Sequence, residues 1–219
     1  MSSETTLSIA VGDGAVTAIA SEPEKAGRAT FLYTPGAGSN VHDPFGKYLC
    51  RELATRGLRA IRFQFPYQEA GRRSPDRPAV LEETWRAAID QLAGEVTVAS
   101  GRSMGGRIAS QVVAEGTAVN GLALFAYPLH PPGKPERRRD EHLAAITVPT
   151  LFCSGTRDAF ASPDELMEAT ALIAGSTVHH LKSADHGFNA PKSSGRDRED
   201  VYSEAAASLV EWLGAESLL

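Results

Sequence analysis

Two hydrophobic periods alternate along this chain: compact apolar runs, and stretches in which apolar residues recur every third or fourth position. The first runs, residues 7–11 and 16–20, flank Gly12-Asp13-Gly14 and predict an antiparallel hairpin. Beyond it, strands are expected at residues 30–33, 60–65, 96–100, 121–126, 150–154 and 177–181. Helical spacing fills the intervals: 43–56, 80–92, a segment from the glycines after Ser103 to near Glu115, a short piece at 141–145, and a helix opened by Ser162. That start has Ser162 as N-cap, Pro163 at the first helical position and Glu165 closing a capping box, so two otherwise orphaned backbone amides find acceptors. The closing helix gathers Val201, Ala205 and Leu209 on one face, with Trp212 continuing it. A hairpin followed by repeated strand–helix units predicts an α/β fold, a mostly parallel, doubly wound sheet with helices on both faces. Ligands of such sheets bind beyond the carboxyl ends of the strands, so chemistry is to be sought there.

Length fits one domain, residues 1–219, without a linker or internal repeat. The loops at 66–79 and 127–140 are too short for a separate lid, which predicts an open, shallow pocket. With 42% hydrophobic and 22% charged residues the chain can bury a real core. A net charge of −5 argues against a nucleic-acid surface. No stretch approaches the ~20 apolar residues of a membrane span. The opening M-S-S-E-T-T-L-S-I-A lacks the basic start and apolar stretch of a secretion signal, so a cytoplasmic location is expected. Cys50 falls in an expected helix and Cys153 in an expected strand; both read as buried, reduced small hydrophobes. Neither has CxxC spacing, and no His/Cys/carboxylate cluster suggests a metal or other cofactor; the oligomeric state is left open.

Chemistry enters at V-T-V-A-S-G-R-S-M-G-G-R, residues 96–107. Here G-x-S-x-G (Gly101 to Gly105) lies between an expected strand and an expected helix, a turn sharp enough to hold a serine hydroxyl out at the sheet's edge. Glycines flank it because a Cβ there would collide with strand or helix. A serine hydroxyl is a weak nucleophile and needs a base, itself oriented by a third group. Asp158 follows the 150–154 strand in S-G-T-R-D, and His186 follows the last strand in S-A-D-H-G-F. Asp185 is an alternative acid, but an immediate neighbour of His186 cannot readily reach the far side of its ring. Donors for a tetrahedral oxyanion are expected from the Met104 amide and, in T-P-G-A-G-S-N after the 30–33 strand, from Ala37, with Gly36 and Gly38 letting the backbone turn inward.

G-R-S-M-G-G-R, P-G-A-G, G-T-R-D and D-H-G-F together resemble the α/β-hydrolase superfamily, whose nucleophile–acid–base order matches Ser103, Asp158, His186. Y-P-L-H-P-P-G-K-P with R-D-E-H-L further resembles small dienelactone-hydrolase-like proteins, related to testis-expressed hydrolase-like proteins and to a chromatin acetyltransferase regulatory subunit. Dienelactone hydrolases proper carry a cysteine where this chain has Ser103. The resemblance implies an α/β-hydrolase fold and a small ester or thioester substrate cleaved through an acyl-enzyme. A non-catalytic protein-interaction module on the same fold is the alternative. His130 and His42 are further candidates to touch substrate, alongside Gly36. Arg102 reads as an ion-pair partner. Arg72, Arg73 and Arg77, with Lys134 and Arg137 to Arg139, read as solvated unless both loops rim one pocket. His179 and His180 read as structural.

Overall fold

The computed structural model describes residues 3–25 and 27–219. Met1 and Ser2, part of the opening read above for a secretion signal, lie outside them. The strands are β1 (Ser3–Val11), β2 (Gly14–Glu22), β3 (Ala29–Thr34), β4 (Arg59–Phe63), β5 (Val96–Arg102), β6 (Gly121–Phe125), β7 (Thr150–Gly155) and β8 (Ser176–Leu181). They form one eight-stranded sheet in the order β1-β2-β4-β3-β5-β6-β7-β8. β2 runs antiparallel to β1 and β4, and every other pairing is parallel. The hairpin register sets Val11 opposite Gly14. Two residues therefore make the turn, with Gly12 taking the positive φ (+53°) that a tight hairpin needs at its first position.

Around the sheet stand α1 (Pro44–Thr55), α2 (Pro66–Glu69), α3 (Pro78–Leu92), α4 (Met104–Ala114), α5 (Pro163–Thr170) and α6 (Arg198–Ala215). Strand side chains alternate between two cores, as the period of two requires. Leu32, Ala99, Leu124 and Phe152 pack with Trp85 of α3, Ile108 of α4 and Leu166 of α5. Phe31, Val98, Phe125 and Cys153 pack with Leu49 of α1 and Leu209 of α6. Burial on both faces explains why the central strands read as continuous apolar runs rather than alternating ones. Within the second core Phe45 meets Phe125, Phe188 and Tyr202 edge-on at 5.0, 5.0 and 5.1 Å. Each such pair contributes about 1 kcal/mol beyond its buried area. The cluster ties α1, β6, α6 and the loop after β8 to one point. No helix among the described residues is long and apolar enough to cross a membrane.

Local differences from the expected elements have local causes. β4 stops at Phe63, because the Phe65 amide takes Gln68 Oε1 (2.8 Å) and opens α2 inside the expected loop. The helix expected at 141–145 is one 3₁₀ turn, Leu143–Ala145, held by i→i+3 bonds from Leu143 to Asp140 and from Ile146 to Leu143. β5 runs on to Arg102, since Gly101 and Arg102 pair with Leu124 and Phe125 of β6. The Ser162 capping box forms, with the Ser162 amide 2.9 Å from Glu165 Oε2.

Candidate active site

At the end of β5 the chain reverses at Ser103, with φ 52° and ψ −123°. A non-glycine residue there stores on the order of 1–3 kcal/mol, retained only where the surroundings over-determine it. They do: the Ser103 amide donates to Phe125 O (2.8 Å), and its carbonyl accepts from Arg107 (3.0 Å), starting α4. Close packing explains the flanking glycines. A Cβ on Gly101 would lie 2.5 Å from the Gly106 nitrogen, and one on Gly105 would lie 2.5 Å from Pro35 O in the loop after β3. Trp85 Nε1 donates to the Gly105 carbonyl (3.2 Å), fixing the turn from the α3 side.

The loops after β7 and β8 bring their side chains to this serine. His186 Nε2 is 2.9 Å from Ser103 Oγ. Its Nδ1 is 2.8 and 2.9 Å from the two oxygens of Asp158, a side chain with no solvent exposure. An ionised Asp158 only accepts, so Nδ1 carries the ring proton and Nε2 presents its lone pair to the hydroxyl. Asp158 is itself anchored by the Phe160 amide (2.8 Å), and the Phe160 ring stacks on the imidazole at 4.0 Å between centroids. Asp185 accepts instead from the Gly187 and Asn189 amides (2.8 and 2.9 Å) and so shapes the histidine loop. The two loops touch because Gly155 has no side chain: a Cβ would sit 2.2 Å from Ala184 O.

The loop after β3 lies over Ser103, where a Cβ on Gly36 would meet Ser103 Cβ at 3.4 Å. Gly36 O accepts from Ser39 N (3.1 Å) and Gln68 Nε2 (3.2 Å). In a planar trans peptide the N–H of the same unit, that of Ala37, must point the opposite way. Tyr67 of α2 donates to Ala37 O (2.9 Å), a second tie on this loop. Among the described residues neither the Ala37 nor the Met104 amide donates to a protein acceptor, and both residues line the cleft over Ser103.

A family model described as an alpha/beta hydrolase domain matches residues 27–214. The chain belongs to this family. Solved structures share the fold of this α/β-hydrolase over nearly its whole length. A dienelactone hydrolase from Anabaena variabilis is 19% identical, with 98% of each chain covered and a TM-score of 0.77. Est1E from Butyrivibrio proteoclasticus, bound to ferulic acid, is 12% identical, with 95% of this chain and 99% of that one covered and a TM-score of 0.78. A lidless α/β serine hydrolase from Xanthomonas campestris is 17% identical, with 95% and 94% covered and a TM-score of 0.74.

In this α/β-hydrolase the cleft has a volume of about 700 Å³, the size of a small-molecule site. Of the candidates named from sequence, Gly36, Ala37, Ser103, Met104 and His186 line it, and Asp158 is buried behind His186. His130 and His42 do not line it. The His130 ring is buried between Pro131 O (2.9 Å) and Glu165 (3.3 Å), and His42 opens on a separate groove with Lys47 and Tyr48 of α1. The two arginine-bearing loops do not rim one pocket. Arg72 and Arg73 line a neighbouring hollow behind Ala37, and of the later loop's basic residues Arg139 alone reaches the Ser103 cleft. Arg102 stands 3.7 Å from Asp43, over the ring of Phe188. Asp43 caps α1 through Gly46 N (2.8 Å) and accepts from the buried Tyr33 hydroxyl (2.9 Å). Burial, then the Asp43 charge, pushes that hydroxyl's pKa well above its ordinary value. Sequence reasoning missed Phe160, Gly155, Arg107, Arg198 and the α2 pair Tyr67 and Gln68. Arg107 closes the G-R-S-M-G-G-R string and Gly155 opens G-T-R-D, the others stand in no motif, and each reaches the site through tertiary contact.

Proposed function

We propose that this chain is a single-domain serine hydrolase acting on small esters or thioesters, with Ser103 as nucleophile, His186 as base and Asp158 as its orienting acid. The observation that carries the reading is the contact between His186 Nε2 and Ser103 Oγ at 2.9 Å while Nδ1 is held by a buried carboxylate. His186 takes the hydroxyl proton as Ser103 Oγ attacks the substrate carbonyl, and Asp158 stabilises the imidazolium that forms. The Met104 and Ala37 amides receive the oxyanion, each worth about 3 kcal/mol of the barrier. Collapse expels the alcohol or thiol, which takes the proton from His186 and leaves an acyl-Ser103. Water, deprotonated by His186, then cleaves this ester and releases the acid. No cofactor is needed at any step.

Labelling with a fluorophosphonate probe tests the reading. The parent should take one adduct by intact mass, and Ser103→Ala should take none while staying folded and losing turnover by more than about 10³-fold. Well-folded parent protein that takes no adduct would refute it and favour a binding module on the same fold.

A further inference from the structure

The cleft over Ser103 differs in charge from the chain around it. The whole sequence is acidic, with 22 Lys and Arg against 27 Asp and Glu. Yet the cleft walls hold Arg102, Arg107, Arg139 and Arg198 against one carboxylate, Asp43. Two of these arginines have protein partners. Arg102 has Asp43, and Arg198 reaches Asn189 Oδ1 (3.0 Å through Nε). Arg107 and Arg139 are different. Among the described residues neither has a carboxylate within 4.0 Å.

Asp140, the acid next to Arg139, is engaged by Arg138 (2.6 Å), which also takes Glu168 (3.1 Å). Arg107 has only the neutral Gln111 Oε1 at 3.1 Å, and its Nε is buried with no partner among the described residues. Burial first, and then the like charge of Arg139 against the pull of Tyr127 and Glu82, holds the Arg107 guanidinium below its usual pKa range. A desolvated cation beside a like charge and without a counterion is costly, and a bound anion removes the cost. Arg107 also stands one helical turn after Ser103, its amide on the Ser103 carbonyl, and therefore on the nucleophile's side of α4.

We propose that Arg107 and Arg139 bind a carboxylate of the substrate, so that the ester or thioester cleaved at Ser103 is an acidic one. This rests on the hydrolase reading above and names its substrate class. A planar guanidinium offers a carboxylate two parallel N–H donors, and two guanidinium groups in one cleft fix its direction as well as its charge. Arg107 and Arg139 are then specificity-determining residues, absent from the proton-transfer steps.

The test compares matched esters that differ by one methyl group. p-Nitrophenyl hemiglutarate against its methyl ester places the charge on the acyl half; 3-carboxyphenyl acetate against its methyl ester places it on the leaving group. The parent should prefer the charged member of one pair by about 10- to 100-fold in kcat/KM, the size expected of a charge-assisted contact, and added salt should shrink the preference. Arg107→Gln and Arg139→Gln should each remove most of that preference while changing the neutral ester by less than about threefold, the selective loss expected of a contact made to the charge alone. Free glutarate should slow fluorophosphonate labelling of the parent, and dimethyl glutarate should not, a readout that needs no variant. Equal rates on both members of both pairs, in a parent that labels at Ser103, would overturn the carboxylate proposal and leave the hydrolase reading standing. Failure of the parent to label would remove both.

Discussion

Gly155→Ala is a one-methyl perturbation far smaller than loss of a catalytic group, and its effect follows from one distance. The new Cβ would lie 2.2 Å from Ala184 O, 2.6 Å from its carbonyl carbon and 3.0 Å from Asp185 O. A tolerable C···O contact is about 3.3 Å, so the strands or the loop must separate by about 1 Å. The obstacle is backbone on both sides, and no rotamer change relieves it. The loop is further pinned to β7's end by Arg157 N to Ala184 O (2.9 Å) and Ser183 N to Thr156 Oγ1 (2.9 Å), so it moves with His186 or breaks these bonds. Overpacking of this kind costs about 2 kcal/mol, near 6 °C in Tm for a domain of this size. A shift of about 1 Å between base and nucleophile costs on the order of 10²-fold in rate. Gly155 does not have a positive φ, so the effect is steric and not conformational. Gly14→Ala, whose Cβ would meet its nearest neighbour at an ordinary 3.8 Å, is the control. Turnover of a p-nitrophenyl ester, labelling rate by fluorophosphonate and Tm are measured together. If Gly155→Ala kept both turnover and labelling within threefold of the parent, the contact would not be what sets the position of His186.

Two further outcomes concern protonation. Burial pushes the Cys50 thiol up to about 12 and Cys153 higher still, so neither forms a thiolate near neutral pH. Native protein should take no iodoacetamide, and unfolded protein should take two; alkylation of either cysteine without unfolding would refute the assignment. His142, hydrogen-bonded to Ser110 Oγ at 2.7 Å, has its pKa lowered by burial and then by the Arg107 charge. The unfolded chain therefore binds the proton more readily, and stability present above the unfolded value of about 6.5 is lost as pH falls below it. His142→Gln should lose less Tm than the parent on acidification; parallel curves for the two proteins would show that His142 contributes nothing.

Fold and site differ in how much of each lies in local sequence. The two hydrophobic periods, the Gly12-Asp13 turn and the Ser162 cap mark strands and helices because each depends on residues within one turn or one strand. The Ser103 elbow was legible for the same reason: strand, glycines and helix are contiguous. Asp158 and His186 could be named because each directly follows a strand, although 28 residues separate them. The choice between Asp158 and Asp185 was harder from sequence, and the structure distinguishes them by what each carboxylate accepts: an imidazole for Asp158, loop amides for Asp185.

Spatial order was not legible. Strand order puts β5 between β3 and β6, so the elbow lies beside the glycine loop and against the Phe125 carbonyl. Nothing in the spacing of His42, His130, Arg107 or Arg139 says which of them faces Ser103, because direction across a cleft depends on sheet twist and helix rotation rather than on neighbours in sequence. α2 escaped notice because four residues are too few to show a helical period, yet its Gln68 helps turn the Gly36–Ala37 peptide. Residue type and near neighbours determined the elements and the reactive groups. Register and packing between distant segments alone decided which groups meet, how the loop amides point, and which charges share the cleft.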